Sequence, residues 1–319
     1  MLVGFDIGGT KCAVSVGYEK DGELVIVDKS VIQTGKGIAP EVIIGQMMEM
    51  AEKLTDNIES IGISCGGPLD PIKGVIMSPP NLPGWDDVHI AEQLREKYGC
   101  PVKLCNDADA CAYAEWRFGA GKGTQNMIFF TFGTGLGAGL ILGGKIYAGS
   151  NYLAGEAGHI RLAPDGPVGY GKAGSFEGFC SGGGIAQLGK FYAKDALANG
   201  KECSFCKEES ELESITAATI GKKADEGYED AKYIYALCGE KLGEGLSVVI
   251  DILDPDMIVI GSIFRRSNEH IVPAMEKSLK RECLKYGERK VSIVPAQLGE
   301  NLGDYAALSL SAMALEENK

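Results

Sequence analysis

Several short stretches of this chain carry the residue types that phosphoryl chemistry uses. Phe5-Asp6-Ile7-Gly8-Gly9-Thr10-Lys11 sets a carboxylate, two glycines, a hydroxyl and an ammonium side by side between two apolar runs. Glycines allow a tight reversal whose N–H groups face outward with no Cβ in the way, a nest suited to phosphate. Asp6 is then placed to hold a hydrated Mg²⁺, while Thr10 and Lys11 add a hydroxyl and a point charge. Taken alone, the stretch is better read as a plain β-hairpin with a Gly-Gly turn. The theme returns at Gly133-Thr134-Gly135-Leu136-Gly137, which follows the apolar run Met127 to Phe132. Setting Leu2 against Met127 puts Gly8 on Gly133 and Asp6 on Thr131, a weak internal repeat. Two such turns, with a third strand-to-glycine step at Ile260-Gly261-Ser262, describe a clamp on ATP phosphates held by backbone N–H groups.

A phosphate clamp needs an acceptor site. Asn106-Asp107 follows a short strand and opens a helix, where α/β folds place their ligands. A hydroxyl attacking a phosphoryl group needs a carboxylate to take its proton, and the neighbouring amide can orient the substrate. A simple helix N-cap explains the pair as well. Glu156 and His159, bracketed by Gly155 and Gly158, with Glu177 further on, offer acceptors and a donor for vicinal sugar hydroxyls. A hydrogen-bonded core histidine is the plainer alternative. Cys203-Ser204-Phe205-Cys206 has the spacing of half a zinc site without a second half, and reads as two incidental thiols.

The elements that would position these groups are legible from patterning. Leu2 to Phe5, Cys12 to Val16 and Leu24 to Val27 read as strands. Pro40 introduces a helix with Ile43, Met47, Met50, Ala51 and Leu54 on one face. Strands lead to Gly66-Gly67-Pro68 and to Asn106, and long helices are expected over 182–197 and 230–253. Ala138 to Tyr147 reads as a hairpin, so the G-x-G-x-x-A match at Gly133 lacks the helix that a dinucleotide-binding turn requires. A hinge is expected at Gly119–Gly123. It divides a small N-terminal domain, residues 1–118, from a larger one, residues 119–302, with a last helix over 303–319 packing back on the first.

Composition narrows the class. The chain of 319 residues is 45% hydrophobic and 24% charged, as in globular proteins. Its formal charge of −13 lacks the basic stripe of a nucleic-acid binder and favours glycine loops and a metal ion over lysine clusters for holding polyphosphate. No apolar run reaches the ~18 residues of a membrane span. The first residues already form a strand, so no signal peptide is expected. Ten cysteines scattered along the chain point to reduced thiols, and with them to a cytoplasmic protein.

Taken together, these motifs resemble the ROK family of bacterial sugar kinases and regulators, within the actin-like ATPase superfamily. The resemblance rests on Asp6 to Lys11, Asn81-Leu82-Pro83-Gly84-Trp85, Asn106 to Ala110, Gly133 to Gly139, Gly155-Glu156-Ala157-Gly158-His159 and Ile258 to Gly261, in the family's order. It implies a two-domain α/β fold of ribonuclease H-like type, with mixed sheets and flanking helices. It further implies an ATP- and Mg²⁺-dependent kinase with Asp107 as catalytic base. Sugar contacts would come from Gly66, Gly67, Asn81, Asn106, Asp107, Glu156, His159 and Glu177. ATP contacts would come from Asp6, Gly8, Gly9, Thr10, Lys11, Gly133, Thr134 and Gly135, with Gly261 near the adenosine.

One departure stands out. Members of the family often carry three cysteines that bind a structural zinc with the histidine, and the matching positions here are Val168, Tyr170 and Ser175. No zinc is expected at this site. The family's repressors carry an N-terminal DNA-binding region, which is not expected here. The expected reaction is transfer of the γ-phosphoryl group to a hexose hydroxyl. Glucose leads as substrate, ahead of N-acetylglucosamine, N-acetylmannosamine, fructose and allose; a homodimer is common in the family. A non-catalytic sugar-binding regulator and a sugar-independent ATPase are the competing readings.

Overall fold

The computed structural model describes residues 1–34 and 37–318. The chain begins with β1 (Leu2–Ile7), β2 (Lys11–Lys20), β3 (Glu23–Gln33), α1 (Pro40–Leu54) and β4 (Ser60–Cys65). Next come β5 (Leu69–Asp70), β6 (Val75–Ile76), α2 (Ile90–Tyr98), β7 (Val102–Asn106) and α3 (Asp107–Phe118). The middle of the chain forms β8 (Met127–Phe130), β9 (Ala138–Leu142), β10 (Lys145–Ile146), β11 (Val168–Gly169) and β12 (Lys172–Ala173). Helices α4 (Phe176–Phe179), α5 (Gly182–Ala198), α6 (Ala217–Asp225) and α7 (Glu229–Leu253) follow. Last are β13 (Met257–Ile260), α8 (Ile263–Glu282), β14 (Ser292–Pro295) and α9 (Leu302–Glu317).

Two compact units result. The first comprises Met1–Phe129, Gly139–Ala154 and Ala296–Lys319; the second comprises Phe130–Ala138 and Gly155–Pro295. The units therefore do not part at the expected boundary after residue 118, and Glu115 explains why. Its carboxylate is fully buried and accepts the N–H groups of Ala120 at 2.9 Å, Gln297 at 3.2 Å and Leu298 at 2.8 Å. The Glu115 carbonyl also accepts from Gly119 at 3.0 Å and Gly121 at 2.9 Å. A buried carboxylate is tolerated only when bonded in this way, and the bonds fasten the glycine segment expected as a hinge into the first unit.

The first unit is built on a mixed sheet of order β3-β2-β1-β4-β7, antiparallel from β1 to β3 and parallel from β1 through β4 to β7. On one face Val3, Phe5 and Ile7 pack with Ile43, Met47 and Met50 of α1, as the 3.6-residue spacing of that helix predicts. The opposite face takes α9 at very close range. A Cβ at Gly62 would lie 2.1 Å from the Ala307 carbonyl oxygen, so only glycine admits the helix there.

Register decides what the sheet can present. Ile7 pairs with Cys65 of β4, and Cys65 pairs with Asn106 of β7. The three parallel strands thus end in one row, and the residues that follow (Gly8, Gly66 and Asp107) leave the same edge.

A second five-stranded sheet has the order β10-β9-β8-β13-β14. β9 and β10 form the expected hairpin through Gly143 and Gly144, at φ +59° and +73°. That hairpin, in place of a helix, excludes a dinucleotide-binding turn at Gly133. Among the described residues no helix is long and apolar enough to cross a membrane.

Candidate active site

In the first unit the sheet edge gathers Gly66, Gly67, Asn106 and Asp107, four of the residues expected to meet the sugar. Asn106 caps α3: the Ala108 N–H donates to Asn106 Oδ1 at 2.9 Å and to Asp107 Oδ1 at 2.8 Å. The capping and the functional readings of this pair are therefore compatible, because among the described residues no hydrogen bond engages Asp107 Oδ2 or Asn106 Nδ2. Both face the glycine turn after β4: a Cβ on Gly66 would sit 3.9 Å from Asp107 Oδ2, and one on Gly67 3.4 Å from Asn106 Nδ2. Asp107 is exposed. Crowding by surrounding protein raises its carboxyl above the ordinary value, opposed by the N–H bonds of Ala108 and of Asp107 itself, and its open position screens the rise.

The Gly8-Gly9 hairpin, expected to hold phosphate, lies on the same edge and is held from behind. The Thr34 N–H donates to the Thr10 carbonyl at 2.8 Å, and the Thr34 hydroxyl donates to the Gly8 carbonyl at 2.9 Å. With the carbonyls engaged, the N–H groups of Gly9 and Thr10 accept no role in the hydrogen bonds of the described residues and stay open for an anion. Gly9 packs on the Asn81 loop so tightly that a Cβ would meet the Asn81 carbonyl oxygen at 2.4 Å. The loop itself is anchored by Trp85, which is 1% exposed. Thr34, a single threonine after a strand, gave no signal in the sequence.

Asp6 is half-buried, and no hydrogen bond or ion pair reaches its carboxylate among the described residues. Its carboxyl is raised to about 6, first by desolvation and then by the nearby Asp107 and Asp304 charges, against the pull of Lys11 and Lys29. An acid in that state fits a hard, hydrated cation such as Mg²⁺, which favours oxygen ligands and keeps much of its water. No group of three or more His, Cys, Asp or Glu side chains among the described residues is arranged to hold a metal. A Mg²⁺ at Asp6 would therefore complete its shell from water and phosphate.

The second unit builds its own turn. The Gly137 N–H donates to Thr131 Oγ1 at 2.9 Å, and the Gly133 N–H to the Gly135 carbonyl at 3.0 Å. Thr131, matched to Asp6 by the repeat, thus spends its side chain inside the turn, whereas Asp6 keeps its carboxylate unbonded. The N-terminus of α5, capped by Ser181, gives the Gly182 N–H to the Gly133 carbonyl at 2.8 Å. This leaves Thr134 exposed at the tip of the turn.

Glu177 supports this turn directly: its Oε2 accepts the Leu136 N–H at 3.0 Å. Gly158 packs against the same place, since a Cβ there would lie 2.3 Å from the Leu136 carbonyl oxygen. Glu156 is exposed at the start of the single helical turn Ala157–His159. The His159 ring stands edge-on to Tyr170, centroids 5.3 Å apart, and Lys172 Nζ donates to the His159 carbonyl at 2.5 Å.

Beside the turn lies a cavity of about 690 Å³, lined by Gly133, Thr134, Gly183, Gly221, Ser262 and Arg266 among others. Its size suits a nucleoside. Gly261 is buried and gives its N–H to the Phe130 carbonyl at 2.9 Å. The residue facing the cavity is the next one, Ser262, at φ +50° with its hydroxyl bonded to Arg266 Nη2 at 3.1 Å.

This α/β architecture is the actin-like ATPase fold of the sugar kinases, and the chain belongs to the ROK family, which it matches over residues 2–313. A glucokinase of Streptomyces coelicolor is 30% identical over 315 residues, spanning 98% of this chain and 97% of that protein. The crystal structure of a ROK hexokinase from Thermus thermophilus superposes with a TM-score of 0.79 at 28% identity, covering 99% of each chain. A ROK family glucokinase from Streptomyces griseus, solved in complex with glucose and AMPPNP, gives 0.76 at 26% identity over 99% of each chain.

The Asp6 carboxyl carries a stability signature. Its folded value of about 6 exceeds the model-peptide value of 3.8, so the native state binds the extra proton between about pH 4 and pH 6. The stabilisation is complete below the lower value and lost as pH rises through the upper one, at most on the order of 3 kcal/mol. Urea denaturation in metal-free buffer is expected to show Asp6→Asn gaining on the natural chain as pH rises from 4 to 7. A difference that stays flat with pH would contradict the account.

Proposed function

We propose that this chain is an ATP-dependent sugar kinase that phosphorylates a hexose hydroxyl, with glucose the first candidate. The observation that carries the reading is the strand register of the first sheet, which ends β1, β4 and β7 in one row. It brings the phosphate hairpin, the Gly66-Gly67 turn and Asp107 to a common edge. The kinase relatives and the glucose- and AMPPNP-bound family member support it.

In the proposed reaction the sugar oxygen forms a bond to the γ-phosphorus while the bond from that phosphorus to the leaving ADP oxygen breaks. Asp107 takes the hydroxyl proton on its outward Oδ2, and Asn106 orients the sugar through Nδ2. The open N–H groups of Gly9 and Thr10, with Lys11, stabilise charge on the phosphates. Asp6 would hold Mg²⁺, which when bound neutralises polyphosphate charge. Glu156 and His159 are assigned to sugar hydroxyls, and Glu177 both to the sugar and, through Leu136, to the shape of the second phosphate turn. N-acetylhexosamine and fructose remain the alternative acceptors.

A coupled assay for ADP release over a panel of hexoses and amino sugars tests this. Sugar-dependent release is expected, and Asp107→Asn should lower kcat by about 10²–10⁴ while sugar binding, read by calorimetry, persists. Near-normal turnover in Asp107→Asn would remove the base from this residue. Release that ignores sugar would instead favour an ATPase, and no release beside intact sugar binding a regulator.

We also propose that the loop presenting Glu177 is held without zinc. Val168, Tyr170 and Ser175 supply no thiolate, and the Ser175 hydroxyl instead accepts the Gly178 N–H at 3.0 Å as the cap of α4. Metal analysis of the purified protein should find no stoichiometric zinc. One equivalent that disappears in His159→Ala would refute this.

A further inference from the structure

Asp304 has no part in the chemistry above, yet it is one of few buried carboxylates. It sits in the first turn of α9, only 6% exposed, and its Oδ2 pairs with Lys29 Nζ of β3 at 2.9 Å. Helix α9 brings the pair up behind Asp6. At the preceding residue, Gly303, a Cβ would lie 2.8 Å from Asp6 Oδ2. Asp107, Asp304, Lys11 and Lys29 all act on Asp6 by charge, so the three carboxylates outnumber the two ammonium groups by one where a cation would sit.

Fixing a helix on a sheet does not by itself call for an ion pair. Burying a carboxylate costs free energy that a well-packed apolar residue avoids, and the Ala307 and Ser311 contacts already seat α9 on Gly62. We propose that Lys29 and Asp304 form a positioning pair for Asp6, setting the charge behind it so that the first unit holds a divalent cation together with polyphosphate. This rests on the kinase reading for the identity of the polyphosphate as ATP. Asp304 acts through its negative charge, and Lys29, paired with it at 2.9 Å, offsets part of that charge.

The sign of the effect separates this role from a structural one. Losing either partner of a purely structural pair weakens everything in the same direction. Here, Asp304→Asn removes a negative charge and leaves Lys29 uncompensated near Asp6, so cation binding weakens; Lys29→Met removes the opposing charge, so it does not. The measurement is Mn²⁺ binding to the full chain in the presence of AMPPNP, followed by loss of the free Mn²⁺ paramagnetic resonance signal. Asp304→Asn is expected to bind Mn²⁺ about 3-fold or more weakly, as removing one nearby unit charge implies, and Lys29→Met no more weakly than the natural chain.

Unchanged binding in Asp304→Asn overturns the inference, as does a Lys29→Met chain that weakens with it. Should Asp304→Asn fail to fold, the half-exposed Lys29 carries the test: binding undiminished in Lys29→Met supports the pair's role, and a 3-fold loss overturns it. If the natural chain itself binds no Mn²⁺ with AMPPNP, the kinase reading falls and this inference with it. If it binds and only the variants disagree, this inference alone falls.

Discussion

The in-register ending of three parallel strands is the constraint on which the placement of Gly8, Gly66 and Asp107 depends. Ile7, Cys65 and Asn106 pair across β1, β4 and β7, and a slip of one residue would turn every following side chain to the other face. The register is fixed from both faces. The apolar set Val3, Phe5 and Ile7 must meet α1, and Gly62 must meet the backbone of α9, where nothing larger fits. Packing that is purely hydrophobic and steric thus sets the positions of Gly8, Gly66 and Asp107 to within a strand spacing.

Electrostatics then sorts the two glycine turns. Both are glycine turns after an apolar strand, but their hydrogen bonds differ. In the first turn Thr34 engages the carbonyls from outside, and Asp6 is left unbonded among other acids. In the second, Thr131 and Glu177 close the turn from within. Among the described residues Asp6 therefore keeps its carboxylate unbonded while its counterpart Thr131 does not, although the two turns share a sequence pattern.

The local motifs were readable from the chain because each depends on residues a few positions apart. The Gly-Gly reversal at Gly8, the Asn106 cap, the amphipathic α1 and the Gly143-Gly144 hairpin all belong to that group. What escaped the sequence depends on contacts between distant segments. Glu115 reads as one more helical acid until its carboxylate meets the N–H groups of Gln297 and Leu298, and the division into units moves with it. Lys29 and Asp304, on an edge strand and in a helix near the other end of the chain, gave no joint signal. At the third glycine step the position was legible but not its orientation: Gly261 spends its N–H on Phe130, and Ser262 turns to the cavity.

The central claim is that the sheet edge carries phosphoryl transfer from ATP to a hexose hydroxyl. Phosphorus NMR of the products formed from ATP, Mg²⁺ and glucose tests it most directly, since it reads where the phosphoryl group goes. The account predicts ADP together with a sugar phosphomonoester whose resonance is split by the two protons of a primary carbon. Inorganic phosphate as the sole product, or no consumption of ATP with any hexose or amino sugar tried, would contradict it.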